Sequence, residues 1–301
     1  MPGSTTSKAA ATHGFGLWES AQRFWQRSYA GDYLGLAILI AGYFILKLFD
    51  APFHSQFRLD DPRLQHPHAE VERVDIVWLL IYACGIPLVA LAAWAAIARP
   101  PLHQIHITFL GLFSAVFMAT MITDILKDAI GRPRPDLIAR CKPAEGTPRN
   151  EMVSVEVCTE TNHHVLHDGW RSYPSGHSSF AFSGLGWIAL LMASQLHVLR
   201  PRASLIVVLA CLLPVLGATL IAVSRLEDYR HDVFDVVSGS ILGFAVTYFN
   251  WRRYYPSLMA ADCHEPYSSP HGKTTANGFQ RLRDEEAGMS RHDERYVVGD
   301  D

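Results

Sequence analysis

The sequence predicts an all-α protein that crosses a membrane several times. Of its 301 residues, 49% are hydrophobic, and the apolar residues are concentrated in long runs. A membrane-spanning helix needs about 20 mostly apolar residues, and six runs reach or approach that length. They are residues 33–49, 76–98, 106–126, 179–196, 204–223 and 233–251. We therefore expect a bundle of six transmembrane helices.

The two ends of the chain differ in composition from the middle. Residues 1–28 and 253–301 are rich in Ser, Thr, Gly, His and charged residues and have little periodic apolar content. Such segments bury too little apolar surface to fold alone. We predict polar tails on either side of one membrane domain, residues 29–252, with the C-terminal tail disordered. The N-terminal residues lack the pattern of a cleaved signal peptide, and the net charge of −3 gives no sign of a nucleic-acid partner.

The polar connections between the predicted spans place three clusters on one side of the membrane. With six spans, the connections after the first, third and fifth spans share a side. These connections carry KDAIGRPRP (127–135), RSYPSGHSS (171–179) and SRLEDYRHDVFD (224–235). The connection 127–178 is also long, and long loops are usually functional or disordered. We expect the three clusters to meet at one membrane face.

The second cluster predicts the start of a helix. Pro174 cannot easily continue a helix, and Ser175 is a favourable N-cap. Free N–H groups and the positive end of the helix dipole attract anions there, and Gly176 allows a ligand to approach the backbone. The same residues also fit an ordinary helix cap beside an incidental His177.

The third cluster contains His231 and Asp235, which are four residues apart. On a helix they share a face, so the carboxylate can accept a hydrogen bond from one imidazole nitrogen and orient the other. A histidine held in this way is suited to act as a nucleophile or a base. The alternative is a surface pair worth about 0.2–0.5 kcal/mol.

Together the clusters supply the groups that phosphoryl transfer requires. This reaction spreads negative charge over three oxygens, so the catalyst needs positive charge and positioning, and arginine matches the oxygens well. One histidine can attack while another protonates the leaving oxygen. The candidate residues are Lys127, Arg134 and Arg225 as cations, Ser175 and Gly176 as hydrogen-bond donors, and His177, His231 and Asp235 for nucleophile and proton chemistry.

In order and spacing, these residues resemble the three-part signature of the type 2 phosphatidic acid phosphatase family, the lipid phosphate phosphatases. The first part is Lys127 with Arg134 and Pro135, the second is PSGH (174–177), and the third is SRLEDYRHDVFD. HPHAEVERV (66–74) and RSYPSGHSS are similar to the fungal and plant branch that handles phosphatidate and diacylglycerol pyrophosphate. The resemblance implies an integral membrane enzyme that releases phosphate from such lipids, including lysophosphatidate, and yields diacylglycerol from phosphatidate.

The resemblance also implies a role for each residue. His231 is expected to form a phosphohistidine, Asp235 to orient it, and His177 to protonate the departing lipid oxygen. Family members work without a divalent metal, and the residues agree because three cations can neutralise the phosphate and no carboxylate cluster is suited to magnesium. The expected phosphate-binding residues are Lys127, Arg134, Ser175, Gly176 and Arg225.

The signature leaves two questions of function open. A catalytically silent membrane protein of the same fold, acting as a binding or scaffold module, is the alternative from another class, although none of the reactive residues is missing. Sphingoid phosphates and polyprenyl diphosphates also fit the chemistry, because the motifs hold the phosphate and say little about the lipid tail.

Several other residues carry weaker predictions. Asp124 lies within the third span and is expected to form an ion pair with Lys127, with a role in the site as the alternative, while Arg132 is expected to touch the headgroups or simply to flank the span. The histidines of NHHVLH (162–167) have no matching Cys or second His pair for a zinc site. Cys141 and Cys158 both lie in the long connection, where a disulfide and two free thiols remain alternatives.

Two arguments about orientation conflict. The positive-inside rule places the long connection in the cytoplasm, because it contains seven Lys and Arg residues. Several of these residues are expected to bind phosphate, which weakens the rule here. The family resemblance implies cytoplasmic termini and a lumenal, vacuolar or extracellular site, and we adopt that orientation.

Overall fold

The computed structural model describes residues 29–48, 51–201 and 203–267, and this part of the chain is mainly helical, with isolated β-bridges and no sheet. Five helices are long and apolar enough to cross a membrane: α1 Ala30–Leu48, α2 Ile76–Ala98, α3 Leu102–Ile130, α7 Leu205–Glu227 and α8 Val233–Tyr254. The class of multi-pass helical membrane protein is therefore confirmed. The predicted N-terminal tail, 1–28, and residues 268–301 of the predicted C-terminal tail lie outside the described residues.

The remaining helices differ from these five. Two are short, α4 Leu137–Cys141 and α5 His163–Asp168. The third, α6 Gly176–Gln195, has 20 residues and coincides with the fourth predicted span, but it is not among the helices apolar enough to cross. Glycine and serine dilute its apolar content. The sixth span therefore stays a prediction.

Helix α6 is the centre of the helical bundle. It packs against α3, α7 and α8, and most of its residues are buried. Its small residues allow this close packing. A Cβ atom at Gly239 of α8 would lie 2.5 Å from the carbonyl oxygen of Ser175, and one at Gly243 would lie 2.2 Å from that of Ser179. Only glycine fits at such separations, so the first turns of α6 and α8 lie side by side.

Two loop segments, residues 51–75 and 132–172, form a cover over one end of the bundle. The cover has its own small core, which includes Phe57, Leu137 and Trp170. An antiparallel bridge pairs Phe57 with Val153. A disulfide joins Cys141 to Cys158, whose Cα atoms are 4.6 Å apart. These contacts hold the two segments of the cover together.

The chain stays packed beyond the last helix. Helix α8 ends at Tyr254, and Tyr255 and Cys263 after it are fully buried. Ser194 at the end of α6 donates to the carbonyl of Cys263 at 2.7 Å. Residues 253–267, which composition assigned to the tail, are therefore part of the packed structure.

Candidate active site

A cavity of about 430 Å³ lies between the helices and the cover. Its volume is within the range of small-molecule sites. Ser175 and Asp235 lie directly behind it, where the backbone N–H of Ser175 donates to the carbonyl of Asp235 at 2.9 Å. The structure thus brings the three sequence clusters together, as expected. Six of the eight predicted site residues line the cavity: Lys127, Arg134, Gly176, His177, Arg225 and His231.

Lys127 reaches the cavity from the last turn of α3. The helix is capped at its C-terminal end by Gly131, whose φ of 58° is left-handed. The Lys127 ammonium is buried and donates to the carbonyl of Arg171 at 2.6 Å. A Cβ atom at Gly176 would lie 3.4 Å from the Lys127 side chain, so the lysine packs on the start of α6.

Arg134 is held by Asp168 of the cover. Its Nη2 donates to the Asp168 carboxylate at 2.7 Å, and its Nε donates to the Asp168 carbonyl at the same distance. Burial alone raises the pKa of Asp168, but Arg134, Arg140 and Lys127 outweigh burial and hold that pKa well below its usual range. Asp168 is therefore an anion that fixes the arginine beside the cavity.

Arg225 is the most buried of the three predicted cations, with 1% of its surface exposed. Its Nη1 donates to Glu72 at 2.5 Å, and its Nη2 donates to Asp228 at 2.9 Å. Glu72 belongs to the cover and also pairs with Arg230 at 2.8 Å. A phosphate that binds Arg225 must therefore compete with carboxylates for the guanidinium.

The start of α6 has the predicted cap. Ser175 is the N-cap, and its hydroxyl accepts from the backbone N–H of Ser178 at 3.4 Å. His177 follows in the first turn, and its Nε2 lies 3.1 Å from the carbonyl oxygen of Val74 in the cover. The cap prediction is confirmed, and His177 lines the cavity.

The predicted geometry of His231 and Asp235 is corrected. His231 precedes helix α8 because Asp232 is the N-cap, so the two residues do not share a helical face. Their closest atoms, Nδ1 of His231 and Oδ2 of Asp235, are 3.7 Å apart, which is too long for a hydrogen bond. Among the described residues, Nδ1 has no hydrogen-bond partner.

The surroundings of His231 favour a neutral imidazole. Burial lowers its pKa well below the ordinary value, and the nearby cations Arg134 and Lys127 lower it further, while Asp168 acts in the opposite direction. A neutral imidazole has a lone pair on one nitrogen, which a nucleophile requires.

Two weaker predictions are also wrong. Arg132 donates to Asp235 at 2.8 Å and to Asp232 at 2.9 Å, so it binds carboxylates rather than flanking the span. Asp124 pairs with Lys47 at 3.1 Å and with Arg171 at 3.4 Å, and not with Lys127. In both cases the partners come from segments that are distant in the sequence and that the fold brings together.

Sequence reasoning missed four residues that hold the site in place. Ser172 donates to Asp235 at 2.6 Å, and Arg171, Asp168 and Glu72 bind the predicted cations or Asp124. Ser172 lies two residues before PSGH and Glu72 lies within HPHAEVERV, so both were in segments already singled out. No spacing rule pairs either residue with its partner.

A metal centre is not visible in the described part of the chain, where no three His, Cys, Asp or Glu side chains are grouped to hold one. The arrangement instead brings cations, a helix start and two histidines to one cavity of a helical membrane protein. This arrangement defines the class of protein as one that binds and transfers an anionic group such as phosphate.

Comparison with known proteins identifies the family. Residues 108–258, half of the chain, match the PAP2 superfamily. The chain belongs to the PAP2 superfamily, which confirms the resemblance. No solved structure matches the chain.

The relatives extend over most of the sequence. Diacylglycerol pyrophosphate phosphatase 1 of Saccharomyces cerevisiae is 37% identical over 79% of this chain and 84% of its own length. Probable diacylglycerol pyrophosphate phosphatase 1 of Schizosaccharomyces pombe is 34% identical over 83% and 94%, respectively. Lipid phosphate phosphatase 2 of Arabidopsis thaliana is 31% identical over 80% and 82%.

Proposed function

We propose that this protein is an integral membrane lipid phosphate phosphatase that hydrolyses phosphatidate, lysophosphatidate and diacylglycerol pyrophosphate. From phosphatidate it yields diacylglycerol and phosphate. The observation that carries the proposal is the meeting of His231, His177 and three predicted phosphate-binding cations at one cavity. Membership of the PAP2 superfamily and the names of the relatives support the substrate class.

The residues support a two-step mechanism. In the first step the Nε2 lone pair of neutral His231 attacks phosphorus, the bond from phosphorus to the lipid oxygen breaks, and His177 gives that oxygen a proton. In the second step water attacks the phosphohistidine, the P–N bond breaks and His177 takes up the water proton. Phosphate and free His231 result.

The phosphate charge is met by protein cations in this proposal. Lys127, Arg134 and Arg225 face the developing charge, and Ser175 and Gly176 contribute donors at the start of α6. These groups supply the neutralisation that a divalent ion provides in other phosphoryl-transfer enzymes. We expect full activity in the presence of a chelator, and a strict requirement for added magnesium would contradict this part of the proposal.

We also propose that α6 completes a six-span domain, with both termini cytoplasmic and the cavity on the lumenal, vacuolar or extracellular side. The Cys141–Cys158 disulfide in the cover supports this orientation, because disulfides persist in oxidising compartments. A glycosylation acceptor inserted within residues 143–168 should be modified, and one inserted after residue 268 should not. Modification only of the acceptor after residue 268 would show that the orientation is opposite to the one proposed.

The phosphatase activity is tested with His231→Ala in detergent micelles containing phosphatidate. We expect loss of phosphate release by at least about 10³-fold, because the attacking atom is removed. His163→Ala is the matched control, since His163 lies on the exposed side of the cover, and it should retain activity. Retained activity in His231→Ala would refute the nucleophile assignment, and no release by the wild type from any lipid in a panel of mono- and diphosphates would refute the function.

A further inference from the structure

The carboxylate of Asp235 is completely buried and bonded on both oxygens. Oδ1 accepts from Nη1 of Arg132 at 2.8 Å. Oδ2 accepts from the hydroxyl of Ser172 at 2.6 Å and from the backbone N–H of Asp232 at 2.9 Å. These bonds fix the plane of the carboxylate, and they leave Oδ2 3.7 Å from Nδ1 of His231.

The chain path explains how Arg132 reaches Asp235. After α3 ends, residues 132–134 run beside residues 169–172: Ser172 N–H donates to the Arg132 carbonyl at 3.1 Å, and Arg134 N–H donates to the Gly169 carbonyl at 2.8 Å. Both arginines precede a proline, which favours extended backbone.

The contacts of the two arginines show that they have different tasks. Arg134 lines the cavity, whereas Arg132 does not and turns to the carboxylates at the start of α8. Its planar fork bridges Asp232 and Asp235, which would otherwise repel each other across the first turn. With 32% of its side chain exposed, Arg132 can bind these carboxylates without the cost of full burial.

We propose that Arg132 is a positioning residue that acts on His231 through Asp235. The inference rests on the proposed phosphatase function. Arg132 holds Oδ1, so that Oδ2 stays directed at Nδ1 while the imidazole gains positive charge on bonding to phosphorus. A hydrogen bond from the charged ring to Oδ2 then forms after a small movement, because both groups are already in place.

The first test compares Arg132→Gln and Arg132→Lys with the wild type on phosphatidate. We expect Arg132→Gln to lower kcat by about 10- to 100-fold, as happens when a residue that orients a functional histidine is removed. KM should change by less than about 2-fold, because Arg132 does not touch the phosphate. Arg132→Lys keeps the charge without the fork and should recover part of the loss.

Arg63→Gln is the matched control. Arg63 lies beside Arg132 and Asp232, but 78% of its side chain is exposed and its guanidinium pairs with Asp61. It should leave kcat unchanged. An equal loss in Arg63→Gln would overturn the proposal, because it would show a general effect of charge near the cover.

The second test is a double-mutant cycle with Asp235→Asn. If Arg132 acts through Asp235, adding Arg132→Gln to Asp235→Asn should cost less than about 2-fold more. Independent, multiplying losses would overturn the proposal. If the proposed phosphatase function itself is wrong, the wild type will release no phosphate, so that failure can be distinguished from failure of the Arg132 proposal. If Arg132→Gln does not fold, the same cycle is measured with Arg132→Lys.

Discussion

The starts of α6 and α8 lie side by side, yet they are capped by opposite chemistry. The N-cap of α6 is the neutral Ser175, while α8 begins with a capping box made by two carboxylates, Asp232 and Asp235. The carboxylates already satisfy the positive end of the α8 dipole. We therefore expect an incoming phosphate to be attracted to α6 rather than to the first turn of α8, whose carboxylate Asp235 we propose to orient His231.

The largest expected effect is the loss of activity when either His177 or His231 is replaced, and the two losses should differ in their dependence on the substrate. His177→Ala should lower phosphatidate hydrolysis by about 10²–10⁴-fold, because an alkoxide leaving group needs a proton. With p-nitrophenyl phosphate, whose leaving group needs none, the loss should be less than about 10-fold. His231→Ala should lose activity on both substrates to the same extent. Parallel losses on both substrates in His177→Ala would contradict its role as the acid.

The pH dependence of activity tests whether His231, at the start of α8, is neutral. His231 must be neutral to attack, and its pKa is lowered by burial and by Arg134 and Lys127. Activity should therefore persist below pH 6.5, the ordinary pKa of histidine, and fall about tenfold per unit only below the lowered value. The measurement is kcat/KM against pH for two lipids that ionise differently, since the limb common to both belongs to the enzyme. A common limb above pH 6.5 on which activity rises with pH would contradict the neutral imidazole, whereas a common fall with rising pH would belong to His177, the proton donor.

A smaller effect concerns the α6 cap itself. Ser175→Ala removes the cap hydrogen bond and should cost about 1 kcal/mol of unfolding free energy, with inhibition by inorganic phosphate weakened by about 5-fold. Ser204→Ala is the control, since Ser204 is the N-cap of α7 and its side chain makes no cap hydrogen bond. Thermal unfolding measures the loss of stability, and inhibition by phosphate measures binding. Equal changes in Ser175→Ala and Ser204→Ala would show that the start of α6 binds phosphate no better than the start of α7.

The smallest effect concerns competition for Arg225. Glu72→Gln replaces a carboxylate that holds Arg225 and Arg230, so the guanidinium becomes more available to an anion. We expect inorganic phosphate to inhibit about 2- to 5-fold more strongly. Weaker inhibition would show instead that Glu72 positions Arg225 for phosphate.

The sequence predicted which residues meet at the site better than it predicted the contacts between them. Span parity placed three distant clusters on one side, and the helix signals at Pro174 and Ser175 located the start of α6. Those signals are local, so they can be recognised without knowledge of the fold. The pairing of His231 with Asp235 on one helix face was wrong, because Asp232 caps the helix and His231 precedes that cap.

Contacts between distant segments were not predictable. Arg132 and Asp235 are 103 residues apart, and Arg225 and Glu72 are 153 apart. No rule of spacing connects such residues, because their meeting depends on the path of the cover over the bundle. The serines and glycines of α6, which lower its apolar content, serve close helix packing at the centre of the bundle.

The sequence by itself determined the membrane-spanning helical class, the family and the candidate reactive residues, because apolar length, helix caps and motif spacing are local properties. The tertiary structure decided which groups hold those residues. Arg132 and Ser172 reach Asp235, Asp168 fixes Arg134, and Glu72 occupies Arg225. The physical reason is that buried charges require partners, and only the folded chain brings those partners within hydrogen-bonding distance.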